Sequence, residues 1–185
     1  MMDPMISSKL TYLFHMMDVS QNELLDIKDF EMVAEQVTVG LGNTKLEKRK
    51  KAAVFRRSRD FFNRIQKAMN LTKDSIGLQD WLGYFENHVI GADQKQSLNE
   101  VVRYLLSFFF GVFDDNRDGY FSITEYEKIF ETFGISKSQS KAAFDKMDLN
   151  QDGILSRYEL LMAVEMFLTS TDPSEAGNKI FGDWE

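Results

Sequence analysis

Two twelve-residue stretches of the sequence place oxygen-bearing side chains at a spacing that can wrap a divalent cation. They read DDNRDGYFSITE (residues 114–125) and DLNQDGILSRYE (residues 148–159). Ca²⁺ takes six to eight oxygen ligands, which such a loop supplies from positions 1, 3, 5, 7 and 12, with a glycine at position 6 for the sharp turn. The predicted ligands are the side chains of Asp114, Asn116, Asp118 and Glu125 with the carbonyl of Tyr120, and the side chains of Asp148, Asn150, Asp152 and Glu159 with the carbonyl of Ile154.

The charge of these loops favours a cation over a merely solvated turn. In the stretch 114–125, Asp114, Asp118 and Glu125 crowd three carboxylates around one glycine, and they would repel one another without a positive partner. A single acidic, glycine-containing loop is often just a turn, but two complete matches at equivalent points of a repeat indicate a metal-binding function. Position 8 is apolar in both loops, which predicts a short antiparallel bridge between Phe121 and Leu155.

A third stretch, DVSQNELLDIKD (residues 18–29), departs from the pattern at two positions. Asp18, Ser20 and Asn22, at positions 1, 3 and 5, can still supply oxygens, and Asp26 at position 9 can help. However, Glu23 replaces the glycine and Asp29 replaces the closing glutamate. A shorter carboxylate reaches a bound ion less easily with both oxygens, which weakens calcium binding or suits Mg²⁺ better. Metal binding and a purely structural loop both remain open for this stretch.

The fourth stretch, MNLTKDSIGLQD (residues 69–80), lacks the ligands of a metal site. Met69, Leu71 and Lys73 stand at positions 1, 3 and 5, and a lysine ammonium would oppose a cation. We expect this loop to pair with residues 18–29 instead, with Ile76 against Leu25.

Apolar residues at helical spacing flank every loop, such as Leu105, Phe109 and Val112 before residues 114–125. The predicted fold class is therefore all-α, with four helix–loop–helix units in two paired lobes and short β-bridges between the loops. We assign residues 1–92 to an N-terminal lobe and 93–185 to a C-terminal lobe, with a seam near GADQKQS (91–97). Gly134 is placed to end one helix, and Ser136 with Gln139 predicts a capping box at the start of the next.

Composition excludes several function classes. The net charge of −7 argues against nucleic acid as a partner, and the lack of cysteine excludes disulfides and thiolate chemistry. Two histidines, His15 and His88, are too few and too far apart for a zinc site. The N-terminal stretch MMDPMISSKL lacks the apolar segment of a secretory signal, and the run VVRYLLSFFFGVF is too short to span a membrane. We expect a cytoplasmic monomer.

The loops resemble EF-hands, and the whole chain is similar to the sarcoplasmic calcium-binding proteins and calexcitins of invertebrates. The resemblance rests on four units with a degenerate second one, long inter-unit segments and the tail FLTSTDPSEAGNKIFGDWE (167–185). It implies a calcium buffer or sensor with Ca²⁺ as the ion and Mg²⁺ able to enter the same loops. It also implies that the C-terminal tail, residues 169–185, packs back on the core.

The same branch contains the insect juvenile hormone diol kinases, so the resemblance also allows a calcium-regulated enzyme. The usual phosphate-binding loop reads G-x-x-x-x-G-K-[ST], which neither GLGNTK (40–45) nor GISKS (134–138) matches. We find no catalytic constellation and lean against an enzyme.

A third related class, the coelenterazine-binding proteins and photoproteins, holds an aromatic ligand in its core. His15, Trp81 and the many phenylalanines could line such a cavity, although ordinary core packing is the favoured use of these side chains.

The segment KLEKRKKAAVFRRSRDFFNRIQK (residues 45–67) is strongly basic within an acidic protein. Val54, Phe61, Ile65 and Ala68 give it an apolar face, so it predicts an amphipathic helix. Such a helix could dock on an anionic membrane or an acidic partner, but a solvated basic face is the favoured interpretation. Three of the ten methionines lie at the N-terminus, and core filling is the favoured use of the others, which favours a buffer or a ligand-gated module over a promiscuous sensor.

Overall fold

The computed structural model describes residues 2–91 and 93–184, and in these ranges eight α-helices form four helix–loop–helix units. The helices are α1 (Pro4–Met17), α2 (Ile27–Val37), α3 (Lys45–Ala68), α4 (Leu78–His88), α5 (Lys95–Phe113), α6 (Ile123–Thr132), α7 (Lys137–Met147) and α8 (Arg157–Thr169). The strands are β1 (Leu24–Asp26), β2 (Ser75–Gly77), β3 (Tyr120–Ser122) and β4 (Ile154–Ser156), and a 3₁₀ turn spans Ala176–Lys179. The all-α prediction is confirmed. Ala92, at the predicted boundary between the lobes, lies outside the described residues, as do Met1 and Glu185, so the division 1–92 and 93–185 stays a prediction.

Each loop pairs with its neighbour through a three-residue antiparallel ladder. In one pair β1 faces β2, with Leu25 opposite Ile76. In the other β3 faces β4, with Phe121 opposite Leu155. Both predicted partner pairs are therefore confirmed, and all four side chains are buried. The pairing couples loop to loop within each half of the molecule.

A single aromatic-rich core runs through all four units. Phe30 of α2, Phe61 of α3 and Phe108 of α5 meet in it, with the rings of Phe61 and Phe108 stacked at a centroid distance of 4.4 Å. Offset aromatic pairs of this kind add stabilisation beyond the area that they bury. These contacts join the N-terminal half of the chain directly to α5.

The two predicted helix signals at residues 134–139 had different outcomes. Gly134 adopts a left-handed φ of +70°, and the Ile135 N–H reaches the carbonyl of Phe130, which closes α6 as predicted. Ser136 does precede α7, but the predicted capping box is wrong because neither side chain caps the helix. Gln139 is engaged elsewhere: its Oε1 accepts the backbone N–H of Asp183 in the C-terminal tail at 3.0 Å.

The C-terminal tail packs back on the core, as predicted, and contacts both halves of the chain. The buried ammonium of Lys9 in α1 donates to the carbonyl of Ser170 at 2.7 Å and to Asn178 Oδ1 at 2.9 Å. Burial lowers the pKa of Lys9 to about 8. The hydroxyl of Tyr12 donates to the carbonyl of Phe181, and that of Tyr126 in α6 donates to the carbonyl of Ile180. The tail thus links α1 to α6.

The close packing of the tail predicts a large effect at Gly177. A Cβ added there would lie 2.5 Å from the carbonyl oxygen of Ala163 and 2.6 Å from Cβ of Met166, so the backbone must shift. We expect Gly177→Ala to destabilise the protein by about 1–3 kcal/mol in chemical unfolding. Gly83 in α4 is the matched control, because a Cβ there meets nothing within 4 Å. Gly83→Ala should stabilise by about 0.5–1 kcal/mol, and two equal effects would contradict the packing of the tail.

The basic helix α3 forms as predicted, and three of the four residues of its predicted apolar face, Val54, Phe61 and Ile65, pack in or against the core. Phe61, Phe62 and Ser58 are buried, whereas Ala68, placed on the apolar face from the sequence, is exposed. Residues 45–52 contribute no buried side chain, so the basic N-terminal part of α3 faces solvent. Docking of this helix on an anionic partner stays a prediction. Among the described residues, no helix is long and apolar enough to cross a membrane.

Candidate metal sites

Loop 3 (residues 114–125) and loop 4 (residues 148–159) follow the same backbone path. Position 4 is left-handed in both, with φ of +61° at Arg117 and +58° at Gln151. Position 6 is a left-handed glycine in both, with φ of +83° at Gly119 and +81° at Gly153. Glycine reaches this conformation at little cost because it has no Cβ. The backbones of the two loops therefore turn in the same way at positions 4 and 6, which directs the side chains of positions 1, 3 and 5 in each loop towards the same place.

The glutamate at position 12 is held in the same way in both loops. Glu125 accepts the N–H of Asp115 on Oε1 and the N–H of Ser122 on Oε2, each at 3.0 Å. Glu159 accepts the equivalent N–H groups of Leu149 at 3.1 Å and Ser156 at 2.8 Å. Both carboxylates are buried and span the loop from its second residue to its ninth.

Two serines at position 9 complete this arrangement, and neither was among the site residues predicted from the sequence. The hydroxyls of Ser122 and Ser156 cap α6 and α8 and donate to Glu125 and Glu159 at 2.8 and 2.7 Å. The signal was present as the S-x-x-E capping boxes SITE and SRYE. These capping boxes hold Glu125 and Glu159, the third residues of α6 and α8, which are the predicted bidentate ligands.

The aspartate at position 1 also has an equivalent partner in the two loops. Oδ2 of Asp114 accepts the N–H of Gly119 at 3.1 Å, and Oδ2 of Asp148 accepts that of Gly153 at 2.9 Å. The second oxygen of Asp114, Oδ1, is buried without a hydrogen-bond partner in the described structure. A buried carboxylate oxygen is costly unless a donor or cation satisfies it. This orphaned oxygen fits a cation ligand at position 1.

The carboxylates of these loops are turned to backbone amides in the structure. Asp118 Oδ1, for example, accepts the N–H of Tyr120 at 2.8 Å. Across residues 2–91 and 93–184, no three Asp, Glu, His or Cys side chains gather closely enough to form a ready-made metal centre. The donor set of carboxylate, amide and carbonyl oxygens nevertheless suits a hard cation such as Ca²⁺. The ten ligands named from the sequence therefore remain predictions.

Loop 1 (residues 18–29) keeps the backbone of loops 3 and 4 despite its altered sequence. Gln21 and Glu23, at positions 4 and 6, have φ of +56° and +66°. Asp18 accepts the N–H of Glu23 at 2.8 Å, and the buried Asp29 accepts those of Ser20 and Asp26, both at 2.9 Å. No local signal predicts this turn, because a glutamate in the left-handed region costs about 1–2 kcal/mol. The contacts of Asp18 and Asp29 hold it.

Loop 2 (residues 69–80) has a different backbone conformation, and a lysine side chain lies within it. No residue at its positions 4 to 6 has a positive φ. The ammonium of Lys73, at position 5, lies 2.6 Å from Oδ2 of Asp80, at position 12. The hydrogen bond from Lys73 lowers the pKa of the Asp80 carboxyl. A lysine thus supplies the positive charge between these positions, which supports the expectation that loop 2 holds no metal.

His15 and Trp81, the side chains that could line a cavity for an aromatic ligand, do not share one environment in the structure. Trp81 is buried and donates its indole N–H to the carbonyl of Leu10 at 3.0 Å. His15 is exposed, which corrects the proposal that it lines a core cavity. An apolar cavity lies beside Trp81 and another beside Tyr126, and each measures about 20 Å³. That volume holds about one water molecule.

The segment GLGNTK (40–45) leads into α3, and a carboxylate from the first turn of that helix lies against it. Glu47 accepts the N–H of Thr44 at 3.0 Å, and the same carboxylate approaches Gly42. A helix N-terminus can bind a phosphate when its N–H groups are free. Here a carboxylate of the chain itself occupies that position.

Comparisons with known proteins agree with this geometry. Residues 141–164 match the family model for the EF hand. The chain is 28% identical to calerythrin of Saccharopolyspora erythraea over 87% of this chain and 90% of that protein. It is 26% identical to calexcitin-1 of Caenorhabditis elegans over 97% of this chain and 87% of that protein. The coelenterazine-binding protein of Renilla muelleri, in its calcium-loaded apo form, superimposes with a TM-score of 0.74 at 16% identity, covering 98% and 99% of the two chains.

The match at residues 141–164 contains loop 4, and the superposition extends over all four units. The similarity in sequence is distant throughout, so the details of sarcoplasmic calcium-binding proteins and calexcitins do not transfer. The chain has the four-EF-hand fold and is distantly similar to calcium-binding proteins that include calerythrin and calexcitin.

Proposed function

We propose that the protein binds Ca²⁺ at loops 3 and 4 and acts as an intracellular calcium buffer. The observation that carries this proposal is the shared backbone path of the two loops, with a left-handed glycine at position 6 and a buried glutamate at position 12. The orphaned Oδ1 of Asp114 supports it independently. Loops 3 and 4 each offer three carboxylates, an asparagine and a backbone carbonyl to the ion.

Glu125 and Glu159 would change partners when they act as ligands. Each now accepts two backbone N–H groups across its loop, so ligation exchanges amide hydrogen bonds for contacts with the ion. The serines at position 9 keep both carboxylates aimed into the loop, because they cap the helices that carry them. Bound Ca²⁺ supplies charge neutralisation and a cross-link between the two helices of a unit.

The packing of the tail favours a buffer over a sensor. Sensor EF-hand proteins open on calcium binding and expose a methionine-rich groove, whereas buffers barely open. Here Phe181 of the tail packs against Phe167 of α8 and Phe109 of α5, and opening of these helices would break those contacts. The test is the binding of a hydrophobic fluorescent dye with and without calcium. We expect little change, and a large calcium-dependent gain in dye binding would identify a sensor.

Loop 1 is proposed as a weaker site whose limit is the short carboxylate of Asp29. We expect Asp29→Glu to strengthen calcium binding at this loop, because the longer side chain can reach the ion with both oxygens. Asp80→Glu in loop 2 is the matched control and should add no site, since Lys73 already pairs with Asp80. Calorimetric titration of the two variants checks this, and an unchanged titration for Asp29→Glu would make loop 1 purely structural.

A second candidate function is the binding of a small aromatic ligand, which the likeness to a coelenterazine-binding protein favours. Against it, the core cavities beside Trp81 and Tyr126 measure about 20 Å³ each. Titration with coelenterazine, followed through tryptophan fluorescence, tests this candidate. Saturable binding at micromolar concentration would favour it over the buffer.

The kinase alternative is tested by incubation with magnesium-ATP and juvenile hormone diol. We expect no phosphorylated product, because a kinase must orient the γ-phosphate and the attacking hydroxyl, and in GLGNTK the N–H of Thr44 is already bound by Glu47. Turnover that disappears on mutation of a residue outside the four loops would establish the kinase.

A further inference from the structure

A cavity of about 250 Å³ lies beside loop 3, between the α2–α3 connection, α3 and the end of α5. Four basic side chains line it: Lys50 and Arg57 of α3, Arg117 of loop 3 and Lys128 of α6. Part of the remaining wall is apolar and includes Val39, Leu41 and Val54. This combination of a cationic end and an apolar wall is typical of a site for a small amphipathic anion.

Arg57 is fixed in place at the floor of this cavity. Its Nη1 donates to the carbonyl of Gly111, in the last turn of α5, at 2.6 Å. Its side chain packs over the same glycine, where an added Cβ would lie 3.0 Å from Arg57 Cδ. A guanidinium carries five N–H donors in a rigid fork, so an anchored Arg57 retains donors for a ligand.

Positive charge at this site is in excess. Arg57 and Arg117 both line the cavity, and burial and then the guanidinium of Arg117 lower the pKa of Arg57. In the described ranges, Lys50, Arg57 and Arg117 form no salt bridge. Of the two carboxylates at the cavity, that of Asp115 is paired with Lys128 at 3.0 Å. The other belongs to Asp114, the first residue of loop 3.

The mouth of the cavity exposes apolar surface. Val39 is 79% exposed and Leu41 is 37% exposed, both in the connection that follows α2. Covering these side chains with the apolar part of a ligand would remove that surface from water. The volume corresponds to about eight water molecules at roughly 30 Å³ each, which is enough for a phosphate group with one small ring.

We propose that this cavity binds a small phosphate monoester, with its phosphate against Arg57, Arg117 and Lys50 and its apolar group against Val39 and Leu41, and that calcium in loop 3 strengthens the binding. A dianionic phosphate suits several converging cations better than a monoanionic carboxylate does. Only the calcium dependence rests on the proposed function; the site itself stands on the cavity and its charges.

The calcium dependence follows from the position of Asp114. Without a cation in loop 3, the charge of Asp114 raises the pKa of Arg57 and offsets part of the positive potential of the cavity. A divalent ion ligated by Asp114 cancels this charge and adds its own. The anion should then bind more tightly, and by linkage the anion should tighten calcium binding by the same factor.

Phenyl phosphate is the probe, titrated into ¹⁵N-labelled protein by NMR in chelator and again in calcium. We expect saturable shifts of the amides of Gly111 and Val112, both at the cavity, with affinity at least about fivefold higher in calcium. Benzyl alcohol should not bind, and benzoate should bind more weakly than phenyl phosphate. Arg117→Asn should weaken the binding of phenyl phosphate about tenfold, and asparagine tolerates the positive φ of this position. Arg57→Met should weaken the binding by a similar factor.

Lys51→Met is the matched control, because Lys51 is exposed on α3 and does not line the cavity. It should leave the affinity unchanged. Arg57→Lys should retain part of the affinity, which separates loss of charge from misfolding. No saturable binding in either condition, or equal affinity in the protein and in Arg117→Asn, would overturn the site. Glu125→Gln should abolish the gain in affinity for phenyl phosphate that calcium causes, and should leave the affinity in chelator unchanged. If the unmutated protein bound phenyl phosphate equally well in chelator and in calcium, the coupling to calcium would be refuted and the anion site itself would remain.

Discussion

Glu159→Gln is expected to remove one calcium site, and Glu125→Gln is expected to remove another. Each substitution keeps the size of the side chain but removes the charge and the symmetric pair of oxygens that close the ligand shell at position 12. The amide can still cap α8 or α6, because Ser156 and Ser122 remain in place. Calorimetric titration should show the stoichiometry falling by one site in each single variant and by two in the double variant.

Glu165→Gln is the control for these variants, since Glu165 lies on α8 outside loop 4. It should leave the number and affinity of sites unchanged. If neither position-12 variant changed the stoichiometry or the affinity, the assignment of loops 3 and 4 would be wrong.

Removal of calcium should lower the melting temperature by a large amount. Ligand at 100 times its dissociation constant adds about 2.7 kcal/mol per site, so two sites add about 5 kcal/mol. For a chain of this size, 1 kcal/mol shifts the melting temperature by about 2–4 °C, so we expect a drop of about 10–20 °C in chelator. The cause is that a cation satisfies carboxylates that otherwise repel one another in each loop.

The double variant Glu125→Gln/Glu159→Gln supplies the comparison for this measurement. Its melting temperature should respond little to chelator. Equal melting temperatures of the unmutated protein with calcium and with chelator would contradict the coupling between folding and metal.

The pairing of the units was predictable from sequence because it follows from local rules. The apolar residue at position 8 of each loop can only be buried against its counterpart, and Leu25–Ile76 and Phe121–Leu155 obey this. Gly134 ends α6 as expected, because its backbone reaches the left-handed region at little cost. In these cases the residue and its neighbours in sequence determine the structure.

Contacts between distant parts of the chain account for what the sequence did not predict. Gln139 leaves its predicted capping box because the tail offers the N–H of Asp183. Lys9 is buried because the carbonyl of Ser170 and the side chain of Asn178 solvate its ammonium. Neither contact has a signal within a window of ten residues.

Loop 1 shows the same limit at a candidate site. Glu23 stands where the motif has a glycine, yet φ at this residue is +66°, in the same left-handed region as the glycines of loops 3 and 4. The turn is held by the hydrogen bonds of Asp18 and Asp29, which also carry predicted ligand oxygens. A departure from the motif at one position therefore did not reveal the conformation of the loop.

Calorimetric titration of the metal-free protein with calcium tests the central claim most directly. Loops 3 and 4 share one backbone geometry and a matching set of oxygen donors, so we predict at least two sites. A titration that shows fewer than two sites would contradict calcium binding at both loop 3 and loop 4.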